Sequence, residues 1–145
     1  MSAAAFSIRA AGPDDLLDAA ALFERVANAT MPWLPRETQD RAAFLAAAHD
    51  EIVWIAVADG AIVGLAALFA PQSFLHSLFV DGAWQGKGVG RALLETAAAA
   101  ASGPLSLKVQ ERNDAARRFY AGLGFREGDR GTENGATWIR LTRAL

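Results

Sequence analysis

The sequence predicts a mixed α/β or α+β domain. Three observations predict it. Leu16, Ala20, Phe23 and Ala27 recur at helical spacing. Two apolar, strand-like runs, residues 52–57 and 61–69, are joined through Asp59-Gly60. Both linking residues tolerate positive φ, which marks a hairpin. Finally, the stretch WQGKGVGRALL, residues 84–94, sets Gly86, Gly88 and Gly90 between a strand-like run and a helical one.

The remaining elements follow in order. Residues 6–9 alternate apolar and polar as a short strand. Pro13 suits the first turn of a helix, where a missing N–H costs nothing. The segment Met31-Pro32-Trp33-Leu34-Pro35 ends that helix, and Thr38 is the expected cap of a second, with Phe44 and Leu45 on its buried side. Pro71 interrupts, and residues 74–80 read as a strand. A long helix is expected over 91–101, stopped by Gly103-Pro104. Residues 105–109 read as a strand that could lie parallel to 74–80 in a βαβ unit. Asn113 is a good N-cap for a helix with Ala116, Phe119, Tyr120 and Leu123 on one face, and Gly124 falls where a left-handed C-terminal residue is wanted. Strands from Phe125 and over 137–141 complete the chain.

The 145 residues suit one domain, 1–145. With 14 Lys+Arg against 16 Asp+Glu the formal charge is −2, so composition gives no overall basic signal and no nucleic-acid partner is expected. Cysteine is absent and there are two histidines. That leaves no disulfide framework and no thiolate chemistry, and no metal is expected. The N-terminus lacks the basic-then-apolar order of a signal peptide, and no apolar run reaches the roughly 20 residues of a membrane span. A soluble, cytoplasmic protein is the expectation.

A helix N-terminus exposes unpaired N–H groups and partial positive charge. Glycines ahead of it let an anion approach the backbone, and Lys87 and Arg91 add charge. A bound phosphate or pyrophosphate explains the spacing. A tight strand-to-helix turn with exposed cations is the plainer alternative. Two phosphate motifs fail on register. A P-loop needs four residues between its glycines, and three separate Gly82 from Gly86. In GxGxxG the third glycine falls one place later than Gly90.

A third pattern fits. Gln85-Gly86-Lys87-Gly88-Val89-Gly90 resembles the Q/R-x-x-G-x-G/A signature of the GCN5-related N-acetyltransferases (GNAT). HSLFVDGAWQGKGVGRALLETA resembles that family's strand–loop–helix unit. LSLKVQERNDAARRFYAGLGF resembles its next strand and helix, with N-x-x-A-x-x-F-Y-x-x-x-G-F intact from Asn113. WIAVADGAIVGLAAL resembles the preceding hairpin, so the similarity covers residues 53–125. The resemblance implies a GNAT-like acyl-CoA N-acyltransferase fold, with a central mixed, largely antiparallel sheet flanked by helices.

It also implies acetyl-CoA as co-substrate, its pyrophosphate held by the backbone of Gln85, Gly86, Lys87, Gly88, Val89, Gly90 and Arg91. The strand carrying Leu78, Phe79 and Val80 would hold the pantetheine arm, with an N–H near Leu78 on the thioester oxygen. Tyr120 matches the residue that protonates the departing thiolate; packing with Phe119 and Leu123 is its plainer reading. Asn113 serves as a helix cap and is compatible with touching the cofactor. Arg117 is either a phosphate contact or a solvated charge.

The attacking amine must lose a proton. His76 is the leading candidate base, and simple alternation sets it with Leu78 and Val80; a partly buried, hydrogen-bonded histidine is the alternative. Glu24 ranks below it, and His49 fits a helix C-terminus. Met31, Trp33 and Leu34 are expected to wall the acceptor site, or else to form an ordinary apolar loop, with Trp138 and residues 129–135 as another edge. The expected activity is acetyl transfer to a primary amine of a small molecule or peptide. A non-catalytic acyl-CoA sensor or interaction module is the alternative. The resemblance is compatible with a homodimer.

Overall fold

The computed structural model describes residues 5–144. Residues 1–4, where part of the N-terminal reading falls, lie outside the described residues. Seven strands form one sheet: β1 (Ser7–Ala10), β2 (Ile52–Ala58), β3 (Ala61–Phe69), β4 (Phe74–Val80), β5 (Leu105–Gln110), β6 (Arg126–Glu133) and β7 (Ala136–Arg143). Four helices accompany them: α1 (Leu16–Thr30), α2 (Arg41–Ala48), α3 (Val89–Ala100) and α4 (Asp114–Gly122). The spatial order is β1-β2-β3-β4-β5-β7-β6. Every neighbouring pair is antiparallel except β4 and β5, which are parallel and joined through α3.

Local chemistry sets the boundaries. Asp59 and Gly60 both take positive φ, 51° and 76°, and close the β2–β3 hairpin with the twist its strands need. Asn113 caps α4 by accepting from the Ala116 N–H at 3.2 Å. Gly124, at φ 91°, closes the other end of that helix. Two expected boundaries are corrected. Asp40, not Thr38, caps α2, accepting from the Ala43 N–H at 2.8 Å, while the Thr38 hydroxyl donates to the Pro35 carbonyl within its own turn. The helix expected from residue 91 begins at Val89, because Gly88 supplies the left-handed entry just before it.

Strand alternation gives the sheet two apolar faces. Val53, Ile55, Leu65 and Ala67 pack beneath α1 and α2, against Leu22, Phe23 and Phe44. Ala56, Ala66, Leu68 and Leu75 face the other way and pack with Val89, Leu93 and Leu94 of α3 and with Tyr120 and Phe125. Helices thus cover the central strands on both faces. At Gly64 the space left for a side chain is only 3.0 Å from Val89 and Leu93, so α3 seats close against β3.

Candidate active site

The site starts from a defect in the sheet. β4 and β5 pair at Phe74 and Ser106, and no further ladder pair joins them. Toward its C-terminal end β4 therefore has a free edge. Asp81 donates its N–H to the Val63 carbonyl at 2.9 Å, and Phe79 and Ser77 lie opposite Leu65 and Ala67. Alternation turns the backbone of Ser77 and Phe79 toward β3 and that of Leu78 and Val80 toward the gap. The Val80 carbonyl accepts there from Gln85 Nε2 at 3.4 Å. The free polar edge is thus built from Leu78 and Val80, while Phe79 offers its ring, packed edge-on to Phe23 at 5.1 Å.

The glycine stretch follows directly. Gly86 and Gly88 sit at φ 76° and 84°, in the region that disfavours L side chains, and nothing crowds either Cα. Gly90 is different: a Cβ there would lie 3.4 Å from Phe119 Cζ and 3.6 Å from Val80 Cγ2, so its smallness serves helix packing. The first bond of α3 runs from the Ala92 N–H to the Gly88 carbonyl. Upstream of it, the backbone N–H groups of residues 86–91 have no protein partner among the described residues. These donors stand at the positive end of a 12-residue helix, with no acidic residue in its first turn.

Beside the free edge lies a cleft of about 600 Å³. Leu78, Phe79, His76 and Ser77 form its floor from β4; Met31, Leu34, Gln39 and Phe44 come from α1–α2; Lys108, Gln110, Asn113 and Tyr120 come from β5 and α4; Asn134 and Trp138 come from the β6–β7 hairpin. The register between β3 and β4 slips at this point: Leu68 faces Leu75 and Ala67 faces Ser77, leaving His76 as the extra residue of a bulge. Leu75, not His76, therefore shares a face with Leu78 and Val80, which corrects the simple alternation.

The bulge delivers the imidazole to the end of α2. His76 Nδ1 lies 2.9 Å from Glu51 Oε2, the histidine side chain 48% exposed and the glutamate 7%. That hydrogen bond raises the histidine pKa above its usual value, with burial and the charge of Lys108 opposing the shift. Across the cleft Tyr120 is 8% exposed, its ring edge-on to Phe119 at 5.1 Å and to Phe125 at 5.5 Å. Burial pushes its phenol well above the ordinary value, so the hydroxyl keeps its proton.

The profile of the acetyltransferase (GNAT) family matches residues 18–125. The chain belongs to that family. It is 38% identical over 104 residues to the N-alpha-acetyltransferase RimI of Mycobacterium tuberculosis; the matched stretch covers 65% of this chain and 61% of that relative. A GCN5-related N-acetyltransferase from Rhodopseudomonas palustris superimposes with a TM-score of 0.80 at 25% identity, covering 100% of this chain and 99% of its own. YncA of Salmonella typhimurium, solved with its cofactor acetyl-CoA, superimposes with a TM-score of 0.76 at 21% identity over 97% and 94% of the two chains. The mixed, mostly antiparallel sheet flanked by helices is the fold of these GNAT proteins.

Within this GNAT chain most expected site residues gather around one cleft and the loop beside it; two of them, and one expected packing residue, are placed elsewhere. Trp33 does not line the cleft. Its indole N–H donates to Gln110 Oε1 at 3.0 Å and its ring carries the Arg112 guanidinium at 4.6 Å, so it ties the 31–35 segment to the end of β5. Arg117 is spent on Glu127, in two bonds of 2.8 and 3.1 Å, and on the Glu111 carbonyl at 3.2 Å. Phe119 is not on the buried face of α4: it is 37% exposed and covers Gly90. Glu24 bonds Arg41 and the start of α2, and His49 is the C-terminal cap of α2. Sequence reading missed Glu51, Lys108 and Gln39. Gln39 is 3% exposed and donates to the Met31 carbonyl at 3.1 Å, which ties the 31–35 segment to the site. Among the described residues no helix is long and apolar enough to cross a membrane, and no group of three acidic or histidine side chains could hold a metal.

Proposed function

We propose that this protein is an N-acetyltransferase that moves the acetyl group of acetyl-CoA to a primary amine by direct attack within a ternary complex. The observation that carries this reading is the run of unpartnered N–H groups over residues 86–91, contiguous with the free edge of β4. An anion and an extended amide arm fit these two features in series. The backbone of Gln85, Gly86, Lys87, Gly88, Val89, Gly90 and Arg91 takes the pyrophosphate. The edge at Leu78 and Val80 takes the pantetheine amides, and the Leu78 N–H takes the thioester oxygen. Asn113 lines the same cleft and touches the arm; Arg117, engaged with Glu127, leaves the cofactor set.

Chemistry follows from the two sides of the cleft. An ammonium acceptor entering past Met31 and Leu34 gives one proton to His76 Nε2. The freed amine attacks the thioester carbon, and the Leu78 N–H stabilises the oxyanion of the tetrahedral intermediate. The C–S bond then breaks, and Tyr120, protonated up to that point, gives its proton to the leaving sulfur and regains one from solvent. The second nitrogen proton passes to solvent. The likeness to RimI, an N-alpha-acetyltransferase, favours the terminal amine of a peptide as the acceptor.

Calorimetry with acetyl-CoA, followed by CoA release across a panel of peptides and small amines, tests the reading. Saturable binding with turnover on one class of amine is expected. No binding at millimolar acetyl-CoA would overturn it, and binding without turnover on any amine would favour a sensor instead.

A further inference from the structure

We propose that Glu51 is a positioning residue for the acyl transfer: its buried carboxylate holds the His76 ring with the proton on Nδ1, leaving the Nε2 lone pair for the incoming ammonium. This rests on the role proposed above for His76.

The geometry argues for a dedicated pair. Glu51 follows α2, where its N–H donates to the Ala48 carbonyl at 3.1 Å, and precedes β2. Its backbone is thus fixed from both sides. Its side chain is the less exposed partner, and among the described residues His76 is the only cationic group paired with it. An ion pair meant only for surface solubility leaves both ends in water. Here the carboxylate is covered and the imidazole reaches the cleft. The bulge in β4 takes His76 out of the regular alternation and onto Glu51. The other neighbours do not compete for Nδ1. Phe74 presents a ring at 6.2 Å, Lys108 from β5 is a cation, and Glu133 lies at the β6–β7 end of the cleft.

A carboxylate on Nδ1 has two effects on the opposite nitrogen. It selects the neutral tautomer whose lone pair is at Nε2, the form less favoured by a free imidazole, and it stabilises the imidazolium that forms when the proton arrives. Without it, the neutral ring places much of its population with Nε2 blocked by hydrogen.

The test uses the full chain labelled with ¹⁵N-histidine. The sequence holds two histidines, so the spectrum of His76→Ala assigns both signals. In the wild type, His76 should show the Nδ1–H tautomer at alkaline pH and a titration midpoint above the ordinary imidazole value of about 6.5. Glu51→Gln should lower the midpoint and mix the tautomers while circular dichroism and acetyl-CoA affinity hold. An Nε2–H tautomer in the wild type, or a midpoint untouched by Glu51→Gln, would overturn the proposal. The kinetic arm uses the amine with the best turnover from the panel. The acidic limb of kcat/KM should move with the NMR midpoint, and Glu51→Gln should add nothing in a His76→Ala background. A limb that stays in place while the midpoint moves would overturn the link to catalysis. If His76→Ala itself left the profile unchanged, the base assignment would fail separately, with the tautomer result still standing on its own.

Discussion

Phe119 of α4 lies over Gly90 in the first turn of α3, 3.4 Å from where a side chain would start. The two motifs that carry the family resemblance touch at this point. The contact also separates the glycines by physical role. Gly90 has ordinary helical geometry, so Gly90→Ala should change stability by less than about 1 kcal/mol, whereas a branched Gly90→Val should displace Phe119 and lower the melting temperature. Gly88, at φ 84°, should cost roughly 1–2 kcal/mol as Gly88→Ala through backbone strain alone. Gly88→Glu adds a negative side chain at the positive helix end. It should weaken acetyl-CoA binding by about tenfold or more, equivalent to about 1.4 kcal/mol. Melting curves and calorimetry on the four variants distinguish these outcomes, and unchanged affinity in folded Gly88→Glu would move the pyrophosphate elsewhere.

Tyr120 combines a buried ring with a hydroxyl that no other described residue engages. Tyr120→Phe keeps the packing against Phe119 and Phe125 and removes the donor. Turnover should fall with folding and acetyl-CoA affinity nearly intact. General acids contribute about 10²–10⁴-fold, and a thiolate leaving group sets the expectation at the lower end. Tyr120→Ala should in addition destabilise by roughly 3–5 kcal/mol. A normal rate in the Phe variant, alongside an unstable Ala variant, would leave Tyr120 a core residue only.

Gly131 lies across from Trp138 in the β6–β7 ladder, and a Cβ there would overlap the indole. Trp138 in turn carries Lys108 on its face at 4.2 Å, and both line the cleft. Gly131→Ala should therefore rotate the indole and release Lys108. The change should alter KM for the acceptor amine more than the affinity for acetyl-CoA, because the loop over 86–91 is on a different element. Trp fluorescence would register the displacement; an unaltered acceptor KM with a shifted indole would remove this hairpin from acceptor recognition.

Much of this was legible in the chain because it depends on near neighbours. Asp59-Gly60, Asn113, Gly124 and the glycines before α3 act through their own φ angles or through bonds spanning three or four residues. What was not legible depends on register. One extra residue in β4 moves His76 off the face it would share with Leu78, and only the folded sheet brings it to Glu51, 25 positions earlier in the sequence. Arg117 shows the same limit: it holds an unspecified position of the helix motif, open to a phosphate contact or a solvated charge, and its partner Glu127 comes from the next strand. Thr38 and Asp40 are both acceptable caps, but the Thr38 hydroxyl is engaged with the Pro35 carbonyl in its own turn, and Asp40 caps α2.

The single ladder pair between β4 and β5 also bears on how the chain assembles. β1 is joined to the sheet through α1 and α2, but β2, β3 and β4 are successive antiparallel neighbours and need only short excursions to meet. β7 must return past β6 to settle against β5. The two groups of strands share almost no backbone bonding, so their cooperativity passes through side chains. Val89, Leu93 and Leu94 of α3 belong to one cluster with Ala66 and Leu68 on one side of the seam and Leu107 and Ile139 on the other. α3 therefore acts as the clasp of a divided sheet. Loosening it should split the slowest-exchanging amides into two populations, one on each side of Phe74 and Ser106.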